Sequence, residues 1–316
     1  MPEETSGSGG RREGNRRRLA RRTTRTLLAL LLAVVQLAAA GCSGKPLFDE
    51  ERAFELLEEQ CSFGPRPPGS EAHEAMLTWL VEKVSEATDL VRTQRFTAVS
   101  DTGEVQLTNV VASFNPDARE RVLLAAHWDT RAVAERDPDP TRRDQPILGA
   151  NDGASGVAVL LEFARLVATD PPDVGVDIVF FDGEDGGDGG GLPDWCLGSR
   201  YYASTMGDYC PRYAVVVDMV GDAQLSIPRE RNSAVYSPRV VDAVWAAARR
   251  AGSVAFADRL GKPIYDDHVP LLRAGVPAAL VIDFDYAYWH TLDDTPERCS
   301  PASLGEVGRT LVELIY

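Results

Sequence analysis

The sequence predicts an α/β fold, a three-layer sandwich in which a mostly parallel central sheet is flanked by helices. Three observations predict it. Two runs rich in β-branched residues, VDIVFF at 176–181 and YAVVVDMV at 213–220, have the unbroken hydrophobicity of parallel strands covered on both faces. Stretches with helical periodicity alternate with such runs, as they do in open parallel sheets. Ionisable residues collect just after the runs, where ligands sit in sheets of this kind.

Residues 1–41 carry eight arginines and three glutamates, a charge of +5, and they include the apolar run LLALLLAVVQLAAA at 27–40. Basic, then apolar, then small residues is the layout of an export signal. This run of fourteen residues, Gln36 among them, falls short of the roughly 20 that a spanning helix needs. The step AAAGCSG at 38–44 resembles a bacterial lipoprotein signal, which implies that Cys42 is lipidated and becomes the new N-terminus. The expected organisation is an export signal over 1–41, a tether over 42–47 and a single catalytic domain over 48–316. The expected location is periplasmic or cell-surface, with membrane contact only through the lipid or the signal segment.

In the body, helices are expected at 49–60 and 70–88, separated by the breaker FGPRPPGS at 63–70. Strands follow at 91–99 and 105–114, and a short buried one at 122–126. Apolar residues at 157, 160, 161, 164 and 167 mark a helix over 153–167. After the strand at 176–181 come a helix at 198–206, the strand at 213–220 and helices at 238–251 and 267–274. A strand at 277–284 and a helix at 301–315 close the chain.

The whole chain has a net charge of −15, so the part after residue 41 carries −20. Nucleic-acid affinity comes mainly from Lys and Arg neutralising phosphates, so DNA or RNA binding is excluded. Four cysteines follow Cys42, namely Cys61, Cys196, Cys210 and Cys299. They allow three disulfide pairings, between which the sequence does not choose. None has C-x-x-C spacing, which argues against a cysteine-ligated zinc.

The chemistry-bearing residues stand at strand ends. The strand at 122–126 runs into His127 and Asp129, and that at 176–181 into Asp182, Glu184 and Asp185. Asp218 lies near the end of 213–220, the strand at 277–284 leads toward His290, and Asp152 precedes the helix at 153–167. Imidazole with carboxylate is a zinc donor set. Each residue has a plainer reading. Asp152 alone is a helix N-cap, Glu184 and Asp185 are solvated loop charges, His268 is a helix-terminal residue, and His73 is a surface histidine on the helix at 70–88. Asp218 is harder to dismiss, because a carboxylate inside an apolar strand costs several kcal/mol unless it is paired or bound to metal.

The segments LAAHWDT (124–130), GANDGASG (149–156), FFDGEDGG (180–187), VVDMVG (216–221), YDDHVPLLRAGVP (265–277) and YWHTLDDT (288–295) resemble the zinc aminopeptidase superfamily. Within it they look most like the glutaminyl-peptide cyclotransferase branch. The resemblance implies that Asp152, Asp185 and His290 hold zinc and that Glu184 is the general acid/base. It places Asp218 and Asp267 in a buried carboxylate network, and Trp289 with Tyr286 in the substrate pocket. His127 and Asp218 would bind a second ion in two-metal peptidases, so one zinc is expected and a second remains open. The chain departs from the family in having Asp185 where Glu is usual. In animal cyclases a Trp follows the acidic pair closely; here it arrives only at Trp195, which would fill that role from another point of the loop.

The implied reaction converts the N-terminal Gln of a peptide to pyroglutamate and ammonia. The alternative is a zinc aminopeptidase using the same residues with one or two ions. A non-catalytic peptide-binding lipoprotein would be expected to lack Glu184 or a ligand, and none is missing. The nineteen-residue segment 131–149 is long for a connection and is expected to border the pocket.

Overall fold

Six strands form one twisted sheet in the order β1-β2-β4-β3-β5-β8 in the computed structural model, which describes residues 44–100, 103–187 and 194–316. These strands are β1 (Val91–Ser100), β2 (Gly103–Phe114), β3 (Arg121–His127), β4 (Gly175–Phe181), β5 (Ala214–Asp218) and β8 (Ala278–Ile282). The strands β4, β3, β5 and β8 run parallel, while β1 and β2 add an antiparallel edge. A separate two-stranded ribbon pairs β6 (Ile227–Arg229) with β7 (Phe256–Leu260); the sequence reading contained neither strand. The export segment expected over 1–41, and Cys42 with it, lie outside the described residues. Residues 46–316 form one unit. No helix among the described residues is long and apolar enough to cross a membrane.

Side chains alternate across each parallel strand and so feed two cores. Val122, Leu124, Ala126, Ile178, Phe180, Val215 and Val217 face one side. There they meet α1 (Glu50–Cys61), α2 (Glu71–Ser85), α3 (Ala154–Thr169), α6 (Pro238–Ala251) and α8 (Pro301–Ile315). Leu123, Ala125, Val179, Phe181 and Val216 face the other side, with Tyr202 of α4 (Leu197–Thr205) and Leu271 of α7 (His268–Arg273). This double burial is why these strands carry no polar face. The short helix α5 (Arg231–Tyr236) begins behind Glu230, whose carboxylate accepts from the N–H groups of Asn232 and Ser233. Asp49 and Ser70 cap α1 and α2 in the same way.

The register brings the functional strand ends level. His127 pairs with Phe181 across β3 and β4, and Asp218 with Ile282 across β5 and β8. Gly153 has φ +102°, and a Cβ there would stand 2.7 Å from the Asp129 carbonyl oxygen. Only glycine therefore lets α3 start directly behind Asp152.

Candidate metal centre and active site

His127, Asp152, Asp185, Asp218 and His290 converge beyond the carboxyl ends of the parallel strands, all buried. They make two groups of three donors with Asp152 in common. The first is His127, Asp152 and Asp218; the second is Asp152, Asp185 and His290, and within each group the donor atoms lie within 4.8 Å of one another. In the first group His127 Nε2 is 3.1 Å from Asp218 Oδ1, with which it hydrogen-bonds, and 3.2 Å from Asp152 Oδ1. In the second, His290 Nε2 is 3.3 Å from Asp185 Oδ1 and 3.6 Å from Asp152 Oδ2. Asp152 Oδ2 and Asp185 Oδ2 are buried and accept no hydrogen bond. Such orphaned anionic oxygens beside an imidazole nitrogen fit a divalent cation, and one histidine with two carboxylates suits zinc.

Three of the donor segments, those of Asp185, Asp152 and His290, are held from behind by another acid. The Asp129 carboxylate accepts from the N–H groups of Glu184 and Asp185, at 3.1 and 3.2 Å, and fixes the turn after β4. Asp294 accepts from Asn151 N at 2.9 Å and Asp152 N at 3.1 Å, and fixes the entry to α3. Burial and the charge of Asp152 raise Asp294 to about 7. Glu135 Oε1 is 2.5 Å from His290 Nδ1, and its other oxygen accepts from Arg131 Nε at 2.7 Å. Burial would raise the Glu135 carboxyl, but His290 and Arg131 hold it at about 2. Arg131 also donates to Asp185 Oδ1 at 3.1 Å and lies 4.9 Å from the centre of the Trp195 ring.

Glu184 is buried beside these donors. Burial, with the charges of Asp266, Asp185 and Asp267, raises its carboxyl well above the usual range against the pull of His127. The Cys196 thiol donates to Glu184 Oε1 at 3.4 Å and is itself kept protonated by burial. A carboxyl whose affinity for a proton is raised in this way suits a shuttle. Asp267, whose charge acts on Glu184, has both oxygens buried without a hydrogen bond, and burial raises it to about 7.

A cavity of about 260 Å³ opens over this floor. Asp152, Glu184, Asp218, Asp266 and His290 line its base, and Trp195, Trp289 and Phe284 its sides. Trp289 stands 4.1 Å from the His290 ring, and Trp195 lies parallel to that ring at 6.1 Å. A larger cleft of about 600 Å³ between α5 and α7 shares only Tyr265 with this cavity and holds no cluster of metal donors. Chemistry, not volume, locates the site.

Four expectations need correction or extension. Tyr286 is not on the cavity wall; it is buried, and its hydroxyl donates to Asp294 Oδ1 at 2.9 Å, behind the Asp152 turn. His73 is not a surface residue but is 1% exposed, stacked on Trp128 and 2.8 Å from Asp182 Oδ1. Its place on the stripe Met76, Leu77, Leu80, Val84 of α2 was the available signal. The segment 131–149 does not line the cavity; it packs behind, through Glu135 on His290, Arg131 on Asp185 and Arg136 over the Trp289 ring. Asp266, absent from the sequence reading, lines the cavity where its neighbour Asp267 does not. His268 opens α7 fully buried, 3.2 Å from Glu230 Oε2. Cys61, Cys196, Cys210 and Cys299 are free thiols, so no pairing is formed.

The model of peptidase family M28 matches residues 109–315. Glutaminyl-peptide cyclotransferase of Bos taurus is 25% identical over 281 residues, covering 78% of this chain and 76% of that protein. The crystal structure of Bacteroides thetaiotaomicron glutaminyl cyclase superposes with a TM-score of 0.84 at 36% identity, covering 86% of this chain and 99% of the other. A Zn-dependent exopeptidase from Parabacteroides distasonis gives 0.84 at 34% identity, covering 86% and 99%.

Proposed function

The chain belongs to peptidase family M28, and from that premise we propose that it is a zinc-dependent glutaminyl-peptide cyclotransferase. The observation that carries the reading is the buried, protonatable Glu184 at the base of an aromatic cavity of about 260 Å³, beside donors that fit zinc. That volume suits one side chain of a peptide N-terminus and leaves the rest of the peptide outside. The resemblance to enzymes that carry the same name supports it.

Zinc held by Asp152, Asp185 and His290 would supply Lewis-acid polarisation of the glutamine side-chain carbonyl. Glu184 takes a proton from the substrate's α-amine as that nitrogen bonds to the carbonyl carbon of the glutamine side chain. It returns the proton to the side-chain nitrogen as the C–N bond breaks and ammonia leaves. One carboxyl serves as base and then as acid, so its raised affinity for a proton assists the second half. Asp266 and Asp267 supply the like charge that, with burial, keeps it so. Trp195, Trp289 and Phe284 exclude water and hold the chain end folded on itself. Orientation of this kind is worth effective molarities on the order of 10⁵ M in well-aligned cyclisations.

One resident zinc is the reading we favour. His127 Nε2 and Asp218 Oδ1 already satisfy each other, whereas Asp152 Oδ2 and Asp185 Oδ2 are left without partners. A second reading, an aminopeptidase with two ions, is favoured by one observation, the approach of His127, Asp152 and Asp218 to within 4.8 Å. The zinc-loaded protein should be incubated with a Gln-initiated and a Leu-initiated peptide. Loss of one ammonia from the first, with the second intact, is expected. Release of free leucine with two zincs per chain would replace the cyclase by the peptidase.

The proposal extends to location. The basic and apolar segment over 1–41 and the step AAAGCSG support export and lipidation at Cys42. The mass of the mature N-terminus tests this, and an unmodified Cys42 preceded by residue 41 would refute it.

A further inference from the structure

A second cleft, of about 190 Å³, adjoins the catalytic cavity and shares Lys262, Ile264, Ile282 and Phe284 with it. The ribbon β6–β7 builds its outer side: Pro228 and Arg259 come from the two strands, and Gly261 follows the second. The catalytic floor is acidic, and the chain after residue 41 carries −20. This cleft has the opposite character. Arg231, Arg259 and Lys262 line it, against Asp285 and Glu230. Glu230 is committed inward, since its oxygens accept from the N–H groups of Asn232, Ser233 and Ile264 and lie 3.2 Å from His268. Asp285 is shared by two cations, Lys262 at 2.9 Å and Arg259 at 3.7 Å. Arg231 is exposed and makes no ion pair among the described residues. Positive charge therefore remains at the mouth, one side chain away from the acidic floor. Lys262 is held at the boundary, its ammonium 5.8 Å from the centre of the Phe284 ring.

We propose that this cleft is a specificity subsite that takes an acidic side chain close behind the N-terminal residue of the substrate peptide. The inference rests on the cyclase reading for the identity of that first residue. A peptide whose end enters the 260 Å³ cavity must leave past Phe284 and Lys262 or across the opposite wall. On the first path, an Asp or Glu at the second or third position meets Arg231 and Arg259. It is then drawn away from the carboxylates that would otherwise repel it. A Lys at those positions meets like charge.

The test uses the zinc-loaded Glu184→Gln protein, in which turnover is slowed by about 10²–10⁴-fold. Three C-terminally labelled peptides beginning Gln-Glu-Glu, Gln-Ala-Ala and Gln-Lys-Lys are compared by fluorescence anisotropy. Exposed charge pairs are individually weak, so an affinity span of about 3- to 10-fold from acidic to basic is expected at low salt. It should collapse at about 1 M salt, where the Debye length is about 3 Å. Adding Arg231→Glu with Arg259→Glu should reverse the order. Arg231→Gln with Arg259→Gln should flatten it, and serves if the reversed charges disturb the fold. Equal binding of the three peptides, or an order that survives both pairs of substitutions, overturns the proposal. Ammonia release is measured separately on the unsubstituted protein. Peptides that bind in the expected order without releasing ammonia would refute the cyclase reading and leave the subsite standing.

Discussion

Replacing Glu135 by Gln should weaken zinc binding about tenfold while leaving the fold intact. Glu135 Oε1 lies 2.5 Å from His290 Nδ1, and Oε2 accepts from Arg131 Nε at 2.7 Å. With Nε2 facing Asp152 and Asp185, Nδ1 carries the proton and donates it to Glu135, which fixes the tautomer that leaves Nε2 free to bind a metal. The carboxyl is held at about 2, so it is ionised at any working pH and the bond is charge-assisted. Such bonds contribute about 1.5–3 kcal/mol when buried. The Glu135 side chain is 39% exposed, and solvent screening cuts that to about 1–2 kcal/mol. Glutamine keeps the shape but brings no charge for either Arg131 or His290. A loss of about 1.4 kcal/mol is tenfold in affinity, at the lower edge of the 10–100-fold typical when a metal ligand loses its outer hydrogen-bond partner. The assay is competition for zinc against a chromophoric chelator, with thermal unfolding of the metal-free protein as a control. Zinc affinity within twofold of the unsubstituted protein would refute the reasoning. So would an equal loss of stability without metal, because the contact would then serve the fold alone.

Glu184→Gln should lower ammonia release from Gln-peptides by about 10²–10⁴-fold with zinc affinity nearly unchanged, since general acid–base groups contribute in that range; retained turnover in a coupled ammonia assay would remove Glu184 from its role. The Glu230 carboxyl, buried by nature but hydrogen-bonded beside His268, is held at about 2 against an ordinary 4.5. Its contribution is therefore present above about pH 4.5 and lost as the pH falls through about 2, and the shift corresponds to about 3 kcal/mol. Glu230→Gln should accordingly lower stability at pH 7, with the gap to the unsubstituted protein closing toward pH 2 in denaturant titrations; a gap that is constant with pH contradicts the assignment. Gly153→Ala places a side chain at φ +102° and 2.7 Å from the Asp129 carbonyl, and should cost about 1–3 kcal/mol in urea unfolding. An unchanged midpoint would show that the turn before α3 can relax.

Much of the sheet was legible because its strands are buried on both faces, so VDIVFF and AVVVD stand out in any context. The ribbon β6–β7 was not, since FADRL is short, polar and mostly exposed and carries no period to read. Asp185 and His290 are visible as ionisable residues after apolar strands and Asp152 as one opening a helix, and the fold brings their donor atoms together. Their supports were hidden for a different reason. Glu135 reaches His290 across 155 positions of sequence, and Asp294 reaches Asp152 across 142. Neither sits on a periodic element, so nothing local marks it. His73 reads as a surface residue by its type alone, but its helix carries the opposite signal: it shares the buried stripe of α2, and a polar residue there needs a partner, which Asp182 provides.

Three ligand-bearing segments are thus fixed by three acids that are not themselves donors to the metal groups: Asp129 under Glu184 and Asp185, Asp294 under Asp152, and Glu135 behind His290. This division explains where the backbone is strained. Among the described residues four non-glycine residues have positive φ, and three of them, Cys196, Met219 and His290, border the catalytic cavity or touch Glu184. Left-handed backbone of this kind costs about 1–3 kcal/mol per residue and persists only where the surroundings over-determine it. At Met219 that work falls to strand β5, which ends one residue earlier against β3 and β8. At Cys196 it falls to the bond from its N–H to the Glu184 carbonyl, and at His290 to Glu135. The strained turns aim the thiol at Glu184, the thioether at the cavity and the imidazole at Asp152 and Asp185. A rigid parallel sheet supplies the ends from which such turns can depart, and the outlying acids hold them there, so the site depends on contacts that lie one layer behind the residues doing the chemistry.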